Sequence, residues 1–186
     1  HTTITPCQKE YLLAFHKPAG IVCTTSKIDK NNVIDYLNFP ERIYPVGRLD
    51  KESTGLLLLT NNGQLMDDIL RGSNYHEKEY IVHVNKPITD SVLQAMAQGV
   101  PILDTITRPC KIRRMGKDCF YITLTQGLNR QTRRMCEYFD YRVTSLKRIR
   151  IMNIELGSLP VGKWRELTPS EIKTLKNLAQ NKGEAE

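Results

Sequence analysis

Residues 47–60 read Gly-Arg-Leu-Asp-Lys-Glu-Ser-Thr-Gly-Leu-Leu-Leu-Leu-Thr. Two glycines bracket a dense polar loop, and four consecutive leucines follow it. An unbroken apolar run of this length predicts a strand buried on both faces. That strand anchors the loop, which then presents Asp50 at a strand end, between the cations Arg48 and Lys51. Neighbouring cations favour the ionised form of a carboxylate. A held, ionised carboxylate can be a nucleophile, a general base or an electrostatic stabiliser. The same residues also describe a turn with its charges in solvent, and the loop alone leaves both readings open.

Charge narrows the choice of partner. The 186 residues carry 27 Lys and Arg against 20 Asp and Glu, a formal net charge of +7. Much of the excess lies in residues 127–150, which hold Arg130, Arg133, Arg134, Arg142, Lys147, Arg148 and Arg150 against Glu137 and Asp140. Tyr138, Phe139 and Tyr141 are interleaved with them. Cations meet phosphates and rings stack on bases, so the pattern suits nucleic acid. It equally fits a solvated basic face with its aromatics in the core. The preference for Arg over Lys favours phosphate, which the guanidinium fork matches.

Other chemistries lack their residues. There is no GxxxxGK[ST] phosphate loop, no HxH or HExxH pair and no GxSxG elbow. Asp67 and Asp68 are adjacent, so on a helix they diverge by about 100° and make a poor metal pair. The five cysteines form no CxxC, which leaves free thiols in a reducing cytoplasm as the simplest reading. The longest stretch free of Asp, Glu, Lys and Arg is residues 53–66, too short for a membrane helix. His1 in place of an initiating Met reads as a trimmed fragment.

Periodicity and turn residues predict strands at 11–15, 21–25, 43–46, 56–60, 79–84 and 141–154, and a hairpin 110–115/119–125 with Gly116 in its turn. Helices are expected at 31–37, 64–70, 90–98 and 129–139. Thr89 is the expected N-cap of the third, and Gly99 its stop. Thr168-Pro169-Ser170-Glu171 is a capping box that opens a last helix with Ile172, Leu175 and Leu178 as its buried stripe. Strands outnumber helices and neighbours look antiparallel, so the class is α+β. A weak boundary falls at 72–77.

Five blocks in order carry a family resemblance. They are Lys17-Pro18-Ala19-Gly20, residues 47–63, Lys78-Glu79-Tyr80, residues 127–135 (Gly-Leu-Asn-Arg-Gln-Thr-Arg-Arg-Met) and residues 162–168 (Gly-Lys-Trp-Arg-Glu-Leu-Thr). Together they resemble the RsuA branch of RNA pseudouridine synthases over residues 12–178. The stretches around 69–71, 76–80 and 99–103 look closest to the RluF subgroup. These enzymes usually carry an N-terminal S4 RNA-binding domain. By comparison, residues 1–10 would be a remnant or linker without it, 11–180 the catalytic domain and 181–186 a frayed tail.

The resemblance implies a mixed, mostly antiparallel central sheet flanked by helices, with an active-site cleft across it. It implies an isomerase that breaks the N1–C1′ bond of a uridine, turns the base and rejoins it through C5, without metal or organic cofactor. The substrate would be large-subunit (23S) ribosomal RNA, with a tRNA as a second candidate, acted on by a cytoplasmic monomer. Asp50 is then the essential carboxylate, Arg133 its partner and Tyr80 the ring that packs on the target base. For Tyr80 the alternative is plain sheet packing with Val82 and Val84. Arg48, Lys78, Arg130 and Arg134 are the expected phosphate contacts, and Asn129 holds the basic loop. Lys17 is a further RNA-binding candidate whose motif also suits a structural role. Two rival classes remain: a non-catalytic RNA-binding or ribosome-assembly protein of the same fold, and a hydrolase unrelated to RNA with Asp50 as nucleophile.

Overall fold

In the computed structural model, which describes residues 9–71 and 75–180, the four-leucine run lies inside a mixed sheet. The elements in chain order are β1 (Leu12–Lys17), α1 (Val33–Leu37), β2 (Tyr44–Pro45), β3 (Thr54–Thr60), α2 (Gly63–Leu70), β4 (Lys78–Val84), α3 (Asp90–Gln98), β5 (Pro101–Ile102), β6 (Thr105–Ile106), β7 (Lys111–Gly116), β8 (Cys119–Leu124), α4 (Gln131–Tyr138), β9 (Val143–Ile151), β10 (Ile154–Glu155), β11 (Trp164–Glu166) and α5 (Pro169–Gln180). The sheet runs β11-β1-β3-β9-β4-β8-β7, with β2 on β3 and β10 on β9. Every pairing in it is antiparallel except β3 with β9. The α+β class and the mostly antiparallel sheet flanked by helices are thus as expected.

Residues on opposite faces of β1 and β3 enter different cores, which is why neither strand shows polar alternation. Leu12, Ala14, Leu56 and Leu58 pack with Leu65 and Ile69 of α2 and Leu175 and Ala179 of α5. Leu13, Phe15, Leu57 and Leu59 face the other way, onto Val33, Ile43 and Leu49. The other half of the sheet has its own core. There Val82, Val84, Phe120, Ile122 and Leu124 meet Leu93 and Met96 of α3 and Met135 and Cys136 of α4.

The two halves join at the parallel β3–β9 pair, where Gly55 lies opposite Arg148. Gly55 has φ +111°, and a Cβ built there would sit 2.2 Å from the Arg148 carbonyl oxygen. Both backbone conformation and space demand glycine. Gly55→Ala is therefore expected to cost at least about 3 kcal/mol, read as a lowered urea midpoint.

Helix signals in the sequence translate directly. Thr89 accepts from the Val92 amide, and Gly99 closes α3. The capping box forms reciprocally: Glu171 N donates to Thr168 Oγ1 at 3.1 Å and Thr168 N to Glu171 Oε1 at 2.8 Å. Arg165 adds a bidentate pair at 2.7 and 2.9 Å, which holds the Glu171 carboxyl down at about 2 from its usual 4.5. A depressed carboxyl contributes stability above its unfolded value and loses it as pH falls toward its folded one. Glu171→Ala should thus cost about 1–2 kcal/mol at pH 7, a cost that shrinks as pH falls from about 4.5 and is largely gone below about pH 2, measured by urea unfolding.

Four local expectations need correction. Residues 21–25 form only a single bridge, Val22 with Asn32, because the chain bends at Gly20 (φ +95°) and Val22 bonds the start of α1. The expected strand 141–154 is broken at Met152, which has φ +54°, into β9 and β10. In α5 the buried stripe runs through Leu175 and Ala179, while Leu178 is exposed. Seven residues from Ile172 returns to the same helix face; six does not. Gly116 ends β7 rather than occupying the turn, which Lys117 and Asp118 form. Residues 1–8, 72–74 and 181–186, and with them most of the expected remnant, part of the expected boundary and the expected tail, lie outside the described residues.

Candidate active site

The loop between β2 and β3 is pinned from four sides. Lys17 Nζ donates to the carbonyls of Lys51 at 3.1 Å and Ser53 at 2.8 Å, as well as to Pro18 at 2.9 Å. Gly20 N donates to the Lys51 carbonyl, Leu49 N to Cys23 Sγ, and Arg148 Nη1 to the Arg48 carbonyl at 3.4 Å. These bonds leave the backbone around Asp50 little freedom. Lys17 is fully buried, so its assignment as an RNA contact is corrected: it is a strut of the Asp50 loop. Burial lowers its pKa, the direction expected for an ammonium among carbonyls rather than carboxylates.

Asp50 and Arg133 meet although 83 residues apart. Arg133 Nε donates to Asp50 Oδ2 at 3.2 Å and its Nη2 to Ser53 Oγ at 2.8 Å. The Arg133 side chain is 10% exposed and that of Asp50 27%. The acid is therefore held by a buried cation while one side faces the cleft. Arg133 is buried on α4, whose Met135 and Cys136 enter the adjoining core.

Arg130, at the left-handed N-cap of α4, lies 3.5 Å from Asp50 Oδ2 and 2.7 Å from Glu52 Oε1. Its guanidinium is thus paired to acids of the Asp50 loop. Glu52 is held below the usual carboxylate range, chiefly by this hydrogen bond. Asn129 receives both Arg134 nitrogens, Nε on its carbonyl at 2.9 Å and Nη2 on Oδ1 at 3.0 Å. It holds the basic loop as the sequence implied.

Asp50 opens into a cleft of about 740 Å³, a size that accepts a nucleotide. Its cationic lining residues are Arg48, Arg71, Lys78, Arg108, Arg130 and Arg148, and among the described residues Asp50 is its one acid. Tyr80 lines the same cleft from β4 and also packs against two of the cores. Arg48 is exposed at the rim with no ion-pair partner among the described residues. Arg134 lies outside the lining. Of the three aromatics near α4, Tyr141 is buried, Phe139 half-buried and Tyr138 exposed.

Sequence reasoning missed Arg148 as a site residue. It is 2% exposed, its Nε donates to the Leu56 carbonyl at 2.8 Å, and its guanidinium carbon stands 6.0 Å from the centre of the Tyr80 ring. The one available signal was its place in a basic strand that also reads as buried.

An acid–arginine pair at the end of a buried strand, with a tyrosine and surplus cations around it, is an arrangement suited to a polyanionic ligand. Comparison with known proteins agrees. Residues 11–138 match the RNA pseudouridylate synthase family. The dual-specificity RNA pseudouridine synthase RluF of Salmonella typhi is 53% identical over 169 residues, covering 91% of this chain and 58% of the relative. The ribosomal large subunit pseudouridine synthase B of Bacillus subtilis is 34% identical over 175 residues, 89% of this chain and 71% of the relative. A crystal structure of a pseudouridylate synthase superposes with a TM-score of 0.83 at 30% identity, covering 92% of this chain and 76% of that one. The chain belongs to the RNA pseudouridine synthase family, as its motifs implied. It spans about three-fifths of the length of the RluF relatives.

Proposed function

We propose that this chain isomerises a specific uridine to pseudouridine in large-subunit ribosomal RNA, with a tRNA as second substrate. The pairing of Asp50 with a buried Arg133 at the floor of a cationic cleft carries the reading. The relatives' names support the substrate classes: one group is called dual-specificity, and the Bacillus protein is named for the ribosomal large subunit. The chemistry is proposed to need no metal or organic cofactor and to run on a cytoplasmic monomer.

A stacked uridine cannot reach Asp50. Flipping it out costs a few kcal/mol, and stacking on Tyr80 returns about 1–3 kcal/mol. Arg48 at the rim, and Arg134 of α4 beside the basic loop, take the phosphates that stay in the strand. Asp50, held in place by Arg133, then acts on the inserted nucleotide, by attack at the sugar, by attack at the base or by assisting elimination at C2′. A merely RNA-binding protein has no need of a buried acid–arginine pair.

The test is a pseudouridine map. Unmodified ribosomal RNA and tRNA are incubated with the chain, and pseudouridine is read from carbodiimide adducts as primer-extension stops. New stops establish activity and target together. Tight, salt-sensitive binding without any stop would favour the non-catalytic RNA-binding class.

A further inference from the structure

Two cations on the inner wall of the cleft lack a counter-charge. Arg148 has no carboxylate within ion-pair distance among the described residues. Its Nε and Nη1 are committed to the Leu56 and Arg48 carbonyls, and its Nη2 is buried with no partner. Lys78 lines the same wall, and among the described residues nothing accepts from its ammonium. Burial, with Arg148 nearby, pushes that ammonium down to about 8. An isolated buried charge costs several kcal/mol, so the buried Arg148 with the half-buried Lys78 beside it marks a place for an electron-rich group.

The sheet register brings them together. Arg148 pairs with Tyr80 across β4 and β9, and Lys78 is two residues from Tyr80 on the same face. Between Glu79 and Tyr80 the register slips by one, leaving Ile149 extra on β9. Such bulges re-aim neighbouring side chains. Depth then separates ligands. A flipped nucleotide enters base first, while its phosphates remain in the strand at the mouth. Arg48 is exposed at the mouth, whereas Arg148 is buried and Lys78 half-buried on the inner wall.

Resting on the pseudouridine synthase reading, we infer that Arg148 Nη2 and the Lys78 ammonium donate to a carbonyl oxygen of the target uracil and stabilise the base as an anion while it is detached. When the C1′–N1 bond breaks, its electron pair leaves with N1 and the negative charge spreads onto the ring oxygens. C1′ meanwhile gains an Asp50 oxygen, or C2′ gives its proton to Asp50; the base departs as an anion on either sugar route. The two donors keep their protons. After the base turns, an electron pair at C5 forms the C1′–C5 bond as the Asp50 oxygen leaves or the C2′ proton returns. C5 then loses its proton and N1 gains one, so the atoms of uridine are conserved. Fixed donors aimed at developing charge in a dry site are an effective form of catalysis.

The experiment uses the 186-residue chain and transcripts carrying the mapped target with uridine, 2-thiouridine or 4-thiouridine. Lys78→Met keeps the side-chain bulk and breaks no described hydrogen bond; Arg148→Lys is the second variant. For Lys78→Met the expected single-turnover rate at saturating uridine RNA falls about 10²-fold or more, with RNA affinity and its salt slope unchanged and melting temperature unchanged or raised. The deficit should shrink on one of the thio-substituted RNAs, because sulfur accepts poorly and the thio base leaves more readily; a merely structural role predicts equal deficits on all three. Equal deficits would overturn the inference. So would a weaker affinity with a salt slope smaller by about 0.7 and an intact rate, which marks a phosphate contact. Parent chain without any product would overturn the functional reading itself, and this inference with it.

Discussion

Asp50→Asn is expected to lower single-turnover pseudouridine formation by about 10⁴-fold or more, the scale seen when a group that acts on the reacting atoms is removed. Asparagine keeps the shape and one acceptor oxygen, so Arg133 Nε retains a partner at the 3.2 Å position. Arg133 also keeps Ser53 Oγ, and Arg130 keeps Glu52. The stability loss should therefore stay near 1–2 kcal/mol, the difference between a charged and a neutral hydrogen bond. RNA binding should change little, because the proposed phosphate contacts are Arg48 and Arg134 and not the acid. The measurements are a pseudouridine map, a filter-binding titration at two salt concentrations and a urea melt on one preparation. Turnover retained by a folded, RNA-binding Asp50→Asn protein would remove Asp50 from the chemistry and return the loop to the reading of a charged turn.

How much of this was legible depends on how local each signal is. The four-leucine run predicted a doubly buried strand, and Leu56 to Leu59 are all fully buried between two cores. Caps were legible because Thr89 and Thr168 bond amides three residues away. The short hairpin of β5 and β6 was not. Its turn places Leu103 and Asp104 at φ +48° and +59°, a conformation for which the usual Asn-Gly signal is absent. The three-residue edge strand β11 carries no alternation long enough to read and is defined by β1 alongside it. In the site, Asp50 stood out by its loop, and Arg133 and Tyr80 by resemblance. Lys17 misled because charge alone predicts exposure, whereas carbonyls from residues 51 and 53 draw it inside. Arg148 stayed hidden for the same reason in reverse. Its role comes from β3 and β9 lying side by side, which no residue near position 148 announces.

The second large effect is expected at Arg133, where geometry and charge can be separated. Its fork spans two acceptors, Asp50 Oδ2 and Ser53 Oγ, and a lysine ammonium keeps the charge without that span. Arg133→Lys should thus leave RNA affinity unchanged while the saturated rate falls about 10²-fold, because a carboxylate misplaced by an ångström loses its approach to the sugar. Arg133→Met removes the charge as well. It strands Asp50 beside the more distant Arg130 and leaves Ser53 Oγ without its donor. That variant should lose about 2–4 kcal/mol of stability and about 10³-fold or more in rate. The order of the three proteins in rate, with binding held constant, is the informative result. If Arg133→Lys instead weakens binding and flattens its salt dependence at an unchanged rate, Arg133 is a phosphate contact and Asp50 is positioned by its loop alone. If the two variants lose rate equally, the positive charge contributes nothing without the fork that spans Asp50 and Ser53.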